Sequence, residues 1–331
     1  MIAHFGTLPD GRAVHRVRLH NDALEVQVLT LGAIVQDLRL AGVPHPLVLG
    51  APTLAPYLGP MAYFGALVGR FANRIADARF SLDGAEHRLA RNCHDRNCLH
   101  GGATGSAHKL WEIRDHTPER LTLGLVMPDG EGGFPGQMEV ALTLTLAGPA
   151  LTFDITATTD GATPCSFAQH SFYRLDSGPD TAAHRLRVAA EHYLPVNDVM
   201  IPTGAPQPVA GTAFDFRSPR SLRGAAVDHN FCLSSARTEL RPVAWLDSTR
   251  TGVALELATT EPGLQVFTAH TLPKDGVIGH DGAPLPARAG IALEPQVWPD
   301  APNRPDFPSA ILRPGARYAQ RTRITLRGPR Q

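Results

Sequence analysis

Apolar and polar residues alternate from one end of this 331-residue chain to the other. A period of two puts one face of an extended strand in a core and the other in water. The clearest segments are 138–146 and 150–158. Val140, Leu142 and Leu144 share one face, Leu151, Phe153 and Ile155 share another, and Ala147, Gly148 and Pro149 join the two as a hairpin. A second hairpin is predicted over 79–89, where Asp83-Gly84 supplies the positive φ angles that a tight turn between antiparallel strands needs. Strands are also predicted at 24–31, 120–127, 252–260, 263–270 and 317–326. The stretches 180–194 and 225–241 lack Gly and Pro and have room for a helix, but neither carries an apolar stripe at helical spacing, so any helices are expected to be short. No repeat, low-complexity linker or charge run marks a boundary, and the expectation is one large all-β antiparallel domain over residues 1–331.

Composition supports this and removes several functions. Gly (31) and Pro (29) interrupt helices more than strands. Equal numbers of basic and acidic residues, 31 each, supply no field for a phosphate backbone or an anionic membrane, so neither nucleic acid nor membrane is an expected partner. No apolar run reaches bilayer-spanning length. The N-terminal segment has no signal-type apolar core, and four cysteines (Cys93, Cys98, Cys165 and Cys232) are too few for a disulfide scaffold, which points to a reducing cytoplasm.

Fifteen histidines dilute the meaning of any one, so their neighbours decide. Four segments read as loops that concentrate polar groups beside Gly or Pro. In the first, Asn73 and Arg74 suit forked hydrogen bonds to neighbouring hydroxyls, and His100 precedes two glycines that let a ligand come close. Residue type alone fits better with Arg70 and Arg74 as surface ion-pair partners and His100 as a turn residue. Cys93, His94, Cys98 and His100 invite a zinc test, but their spacing does not match the common structural sites and no metal is expected. In the second segment His170 lies among aromatics, either as a core imidazole satisfied by a carbonyl or as a proton donor. In the third, Asp228 either caps a turn or accepts from hydroxyls. In the fourth, Glu294 follows three apolar residues at the end of a buried strand, where desolvation would raise its pKa toward that of a general base.

Taken in order, nine segments resemble the aldose 1-epimerase (galactose mutarotase) family: GALVGRFANRIADARFSLDG (65–84), NCLHGG (97–102), PDGEGGFPG (128–136), CSFAQHSFYRL (165–175), LPVNDVMIPTG (194–204), GTAFDF (211–216), DHNF (228–231), GLQVFT (263–268) and ALEPQVWPDAPNRPDFPSAILRPG (292–315). The resemblance implies a β-supersandwich, no cofactor, and interconversion of the α and β anomers of free aldoses such as galactose or glucose. By motif, Glu294 resembles the catalytic base and His170 the catalytic acid, while Asn73, Arg74, His100, Asp228 and Gln265 match sugar-binding positions. The sequence departs from the family pattern at Cys98 (usually Ser), Gln169 (Asn) and Phe172 (often Tyr), and in the region after the double glycine. The implied partner is a small monosaccharide, and the chain itself is expected to be a monomer or weak homodimer.

The chemistry of a hemiacetal agrees with this pair of roles. Opening the ring removes the proton of the anomeric hydroxyl and protonates the ring oxygen, so one base and one acid facing each other across a pyranose-sized pocket are enough. Three alternatives stay open on the sequence. A sugar-phosphate mutarotase would need further cations, for which Arg217, Arg220 and Arg223 are candidates. The others are a non-catalytic sugar-binding module and a glycosidase built on Asp228 and Glu294.

Overall fold

A computed structural model describes residues 1–272, 277–280 and 282–329. Among them there is no α-helix, only strands and five short 3₁₀ turns. A nine-stranded antiparallel sheet runs in the order Glu112–His116, Arg120–Met127, Met138–Ala147, Ala150–Thr159, Tyr318–Arg327, Ala254–Thr259, Arg241–Ser248, His184–Val188, Arg220–Ser221. A four-stranded sheet at the N-terminus (Ile2–Thr7, Ala13–His20, Leu24–Leu29, Val35–Leu40) and a six-stranded sheet accompany it. The last runs in the order Phe172–Tyr173, Ile291–Gln296, Gly263–Phe267, Asp228–Cys232, His192–Tyr193, Gln207–Pro208. All three sheets feed one apolar cluster, with Val26 from the first, Leu142, Phe153 and Leu257 from the second, and Phe231, Val266 and Leu293 from the third. This is the expected β-supersandwich.

The two predicted hairpins form. Leu142 pairs with Ile155 and Leu144 with Phe153, so the alternating apolar residues of both strands turn to the core. Asp83 and Gly84 take φ of +51° and +83° between Arg79–Leu82 and Ala85–Arg88. The two stretches with room for a helix contain strands instead, and in His184–Val188 buried and exposed residues alternate without exception. Two of the four segments read as loops are also strands. Asp228–Cys232 and Ile291–Gln296 are interior members of the six-stranded sheet. Asp228 had suggested a turn and Glu294 a strand end, but here both stand within strands, on the sheet face turned away from the main core.

Candidate active site

That second face explains the site. In Ile291–Gln296 all six residues are buried. Ile291 and Leu293 point to the main core, and the alternate positions Ala292, Glu294 and Gln296 point the other way. Gln265 pairs with Glu294 on one side and Asn230 on the other, so three polar side chains stand in a row across neighbouring strands. Asp228, two residues before Asn230, shares their face, and its Oδ1 accepts 2.6 Å from Gln265 Nε2.

The other wall comes from the first half of the chain. His170 occupies the short break between Ala168–Gln169 and Phe172–Tyr173. Its N–H donates to the Ala66 carbonyl and its own carbonyl accepts from the Gly65 N–H, both at 2.9 Å. Gln169 clamps this turn, since its amide donates to the Gly65 carbonyl (2.8 Å) and accepts from the Ser171 N–H (2.9 Å). The departure at Gln169 therefore sits in a structural bracket. Asn73 and His100 fix each other: the His100 N–H donates to the Asn73 carbonyl, and the Asn73 N–H donates to His100 Nδ1 at 3.1 Å. The glycine after His100 is obligatory, because a Cβ at Gly101 would lie 2.1 Å from the Gly69 carbonyl oxygen at a φ of +82°. Cys98 pairs with Ile75 behind this corner and does not line the cavity.

All seven predicted residues converge on one cavity of about 240 Å³. Their distribution differs from expectation in one respect. Glu294 and His170 do not face each other across the pocket but stand side by side, with Oε1 3.6 Å from Nε2. They are 2% and 7% exposed. The remaining lining includes an apolar wall of Tyr63, Phe64, Phe267, Pro60 and Leu272, none of them singled out from the sequence, together with Phe172, one of the departures from the family pattern. Phe64 stacks on Phe172 at 4.3 Å, and Phe267 meets Phe172 edge-on. The signal was present in the aromatic pair of MAYFGALVG, directly ahead of the first motif, because a sugar ring needs an apolar surface for its C–H face.

The segments carrying Glu294 and His170 are also tied to the nine-stranded sheet through residues that the sequence reading passed over. Gln320 donates to the Pro295 carbonyl next to Glu294 (3.1 Å), the Tyr318 hydroxyl donates to Gln320 Oε1, and the same hydroxyl accepts from the Phe167 N–H (3.1 Å). Arg70 is neither at the surface nor in the site. It is 1% exposed and donates to the carbonyls of Met127, Pro128, Pro135 and Gly136.

Electrostatically the cavity suits a neutral ligand. Among the described residues Arg74 has no side-chain partner, and Asp228 supplies the opposite charge. Burial pushes His170 down to about 4, an effect that its own backbone and Asp228 only partly oppose. Burial and the Asp228 charge hold Glu294 well above the ordinary carboxylate range, with Arg74 opposing. Burial also holds His100 well below 6.5. Glu294 Oε2 and His170 Nδ1 have no partner among the described residues. His100, His170 and Glu294 each offer a ligand atom within 4.8 Å of the others, a donor set able to hold a divalent cation. Cys93, His94 and Cys98 do not join it.

These shifts carry a stability consequence. A histidine whose folded pKa lies below its unfolded value of about 6.5 is held neutral, and its contribution is present above that value and lost as pH falls toward the folded one. For His170 alone the loss by pH 5 is on the order of 2 kcal/mol. His100, His108 and His184 act in the same direction. Glu294, Glu261 and Asp300, whose pKa values are raised by burial, act in the opposite direction over the same window, so the histidine contribution is read by difference: the melting temperature of His170→Gln should rise relative to that of the wild type as pH falls from 6.5 to 4.5. A difference between the two melting curves that stays constant over this range would show that His170 is not held neutral.

The family model described as Aldose 1-epimerase matches residues 15–325. Galactose mutarotase of Mus musculus is 40% identical over 336 residues, covering 96% of each chain. Aldose 1-epimerase of Escherichia coli K12 is 30% identical over 333 residues, covering 95% of each. The crystal structure of an aldose epimerase homologue from C. elegans superposes with a TM-score of 0.89 at 27% identity, covering 96% of this chain and all of the other.

Proposed function

This chain belongs to the aldose 1-epimerase family, and from that premise we propose that Glu294 and His170 open and reclose the ring of a free aldose bound in the 240 Å³ cavity. The protein is an isomerase of the mutarotase type. What carries the assignment of roles is the 3.6 Å separation of the two groups. The anomeric hydroxyl and the ring oxygen are bonded to the same carbon, so the base for one and the acid for the other must lie close together.

In this reading Glu294 takes the proton of the C1 hydroxyl as His170 Nε2–H protonates the ring oxygen, and the C1–O5 bond breaks to leave an aldehyde and a C5 hydroxyl. Rotation about C1–C2 presents the other carbonyl face, and the same protons return as the ring closes. Ring opening turns an ion pair, carboxylate and imidazolium, into two neutral groups. Burial favours that direction, because desolvation penalises both charged forms. An imidazolium that ionises near 4 is a strong acid and a carboxylate with a raised pKa is a strong base, so the less populated microstate is the more reactive one.

Arg74, Asp228, Gln265, His100 and the Nδ2 of Asn73 would hold sugar hydroxyls, while the aromatic wall receives the C–H face. The Asn73 Oδ1 is already taken by the Arg74 N–H at 2.8 Å. A free sugar is favoured over a sugar phosphate because, among the described residues, Arg74 is the only Lys or Arg lining the cavity. Arg217 is committed to Asp215 and Glu191, Arg220 donates to the Ala213 carbonyl, and neither these nor Arg223 line the cavity. The proposal includes one domain over residues 1–331, a monomer or weak homodimer, and a cytoplasmic setting without nucleic-acid or membrane partners. The balanced charge, the four free cysteines and the absence of a membrane-crossing helix among the described residues support it.

The test follows the optical rotation of freshly dissolved α-D-galactose, α-D-glucose and glucose 6-phosphate with and without protein. Faster decay for a free sugar, with no advantage for the phosphate, is expected. Rates equal to the spontaneous ones for every sugar would exclude catalysis and leave a binding module.

A further inference from the structure

We propose that a second pocket, on the far side of the strand Phe172–Tyr173 from the sugar cavity, binds a phosphate group. It is a cavity of about 300 Å³ lined by Arg39, His45, Arg174, Ser177 and His280, and it shares no lining residue with the sugar cavity. The two are linked through the Leu49 N–H, in the lining of the second pocket, which donates to the carbonyl of Phe172, in the lining of the first, at 2.8 Å.

Charge and hydrogen-bonding capacity carry the inference. Arg39 is paired with Asp37, Nε to Oδ2 at 2.7 Å, which leaves the Asp37 Oδ1 buried without a partner. Arg174 has no hydrogen bond or ion pair to its guanidinium among the described residues, and its Nε is buried. A half-buried guanidinium without a counter-charge is costly, whereas its fork of donors matches an oxyanion in two-point fashion. The imidazoles add groups suited to phosphate in particular. His45 uses Nδ1 on the Pro46 carbonyl (3.2 Å) and leaves Nε2 buried without a partner. His280 uses Nε2 on the Gln36 carbonyl (2.7 Å), leaving Nδ1. Such a nitrogen accepts when neutral and donates when protonated. Phosphate carries both acceptor oxygens and, as the monohydrogen form, an O–H, so it satisfies either state; fully ionised sulfate satisfies only one. The free anion and a phosphomonoester share this chemistry.

Titration calorimetry on the full chain with inorganic phosphate is expected to show saturable binding that saturating D-galactose leaves unchanged. Arg174→Met should weaken it at least tenfold, and His45→Gln should weaken it by a smaller factor. Sulfate should bind more weakly than phosphate. Tighter binding of glycerol 3-phosphate assigns the site to an ester, and equal or weaker binding assigns it to the free anion. If Arg174→Met does not fold, Arg39→Gln takes its place. No saturable heat, affinity unaltered in the arginine variant, or displacement of phosphate by galactose would each overturn the proposal, the last by placing the anion in the sugar cavity.

Discussion

Glu294→Gln is expected to lower kcat for galactose mutarotation by about 10³–10⁴-fold, some 4–5.5 kcal/mol of barrier. KM should change little. The carboxamide is nearly isosteric, and it replaces a carboxyl that burial and Asp228 already hold toward its neutral form. Fold stability should therefore be kept or raised, since the cost of ionising a 2%-exposed acid disappears. This separates the role from a structural one, because loss of activity with an intact melting curve and intact sugar binding is the signature of a missing base. The check is polarimetry at several substrate concentrations alongside calorimetric galactose binding. Full activity in the variant would remove Glu294 from the chemistry.

His170→Gln is expected to cost a comparable factor, about 10²–10⁴ in kcat. The double variant with Glu294→Gln should be scarcely worse than either single one, since two groups that pass protons within one step act as a unit. The pH profile adds an independent readout. The competent pair carries one proton in total, whichever group holds it, so the wild-type rate should follow a bell. Its acid limb lies near 4, where the second proton arrives, and its alkaline limb lies at the raised pKa of Glu294. This reverses the assignment that ordinary side-chain pKa values give, with the carboxylate titrating below the imidazole. In the His170→Gln variant the acid limb should vanish from the residual rate. A residual rate that kept the wild-type bell would put the titrating groups elsewhere.

How much of this was legible without coordinates varies from residue to residue. The hairpin of Met138–Ala147 with Ala150–Thr159 was readable because one face meets the core and the other meets water, so composition alternates along the chain. Ile291–Gln296 was harder because both of its faces are buried, and Asp228–Cys232 because its burial does not alternate along the strand. A polar residue there marks a site facing a second wall, and the pattern alone cannot tell that from a strand end or a loop. Glu294 was identifiable as an anomalous acid in an apolar run. His170 and His100 acquired roles only through their ordered motifs, because a lone imidazole is chemically equivalent in core, turn and site. Tyr318 and Gln320 went unnoticed, since a hydroxyl or amide in a β protein carries no mark of which carbonyl it supports, whereas Tyr63 and Phe64 were marked only by their place directly ahead of the first motif.

The linear order of residues determined that the chain would form antiparallel strands, that its charge would be balanced, and which acid and which imidazole were available for proton transfer. Those properties depend on side-chain chemistry and on a period of two, both of which are local. Only the tertiary structure decided that residues 124 positions apart would lie 3.6 Å from each other, side by side in one cavity rather than on opposite walls. It also decided that their ordinary order of ionisation would be inverted, because that inversion comes from the removal of water by segments remote in sequence.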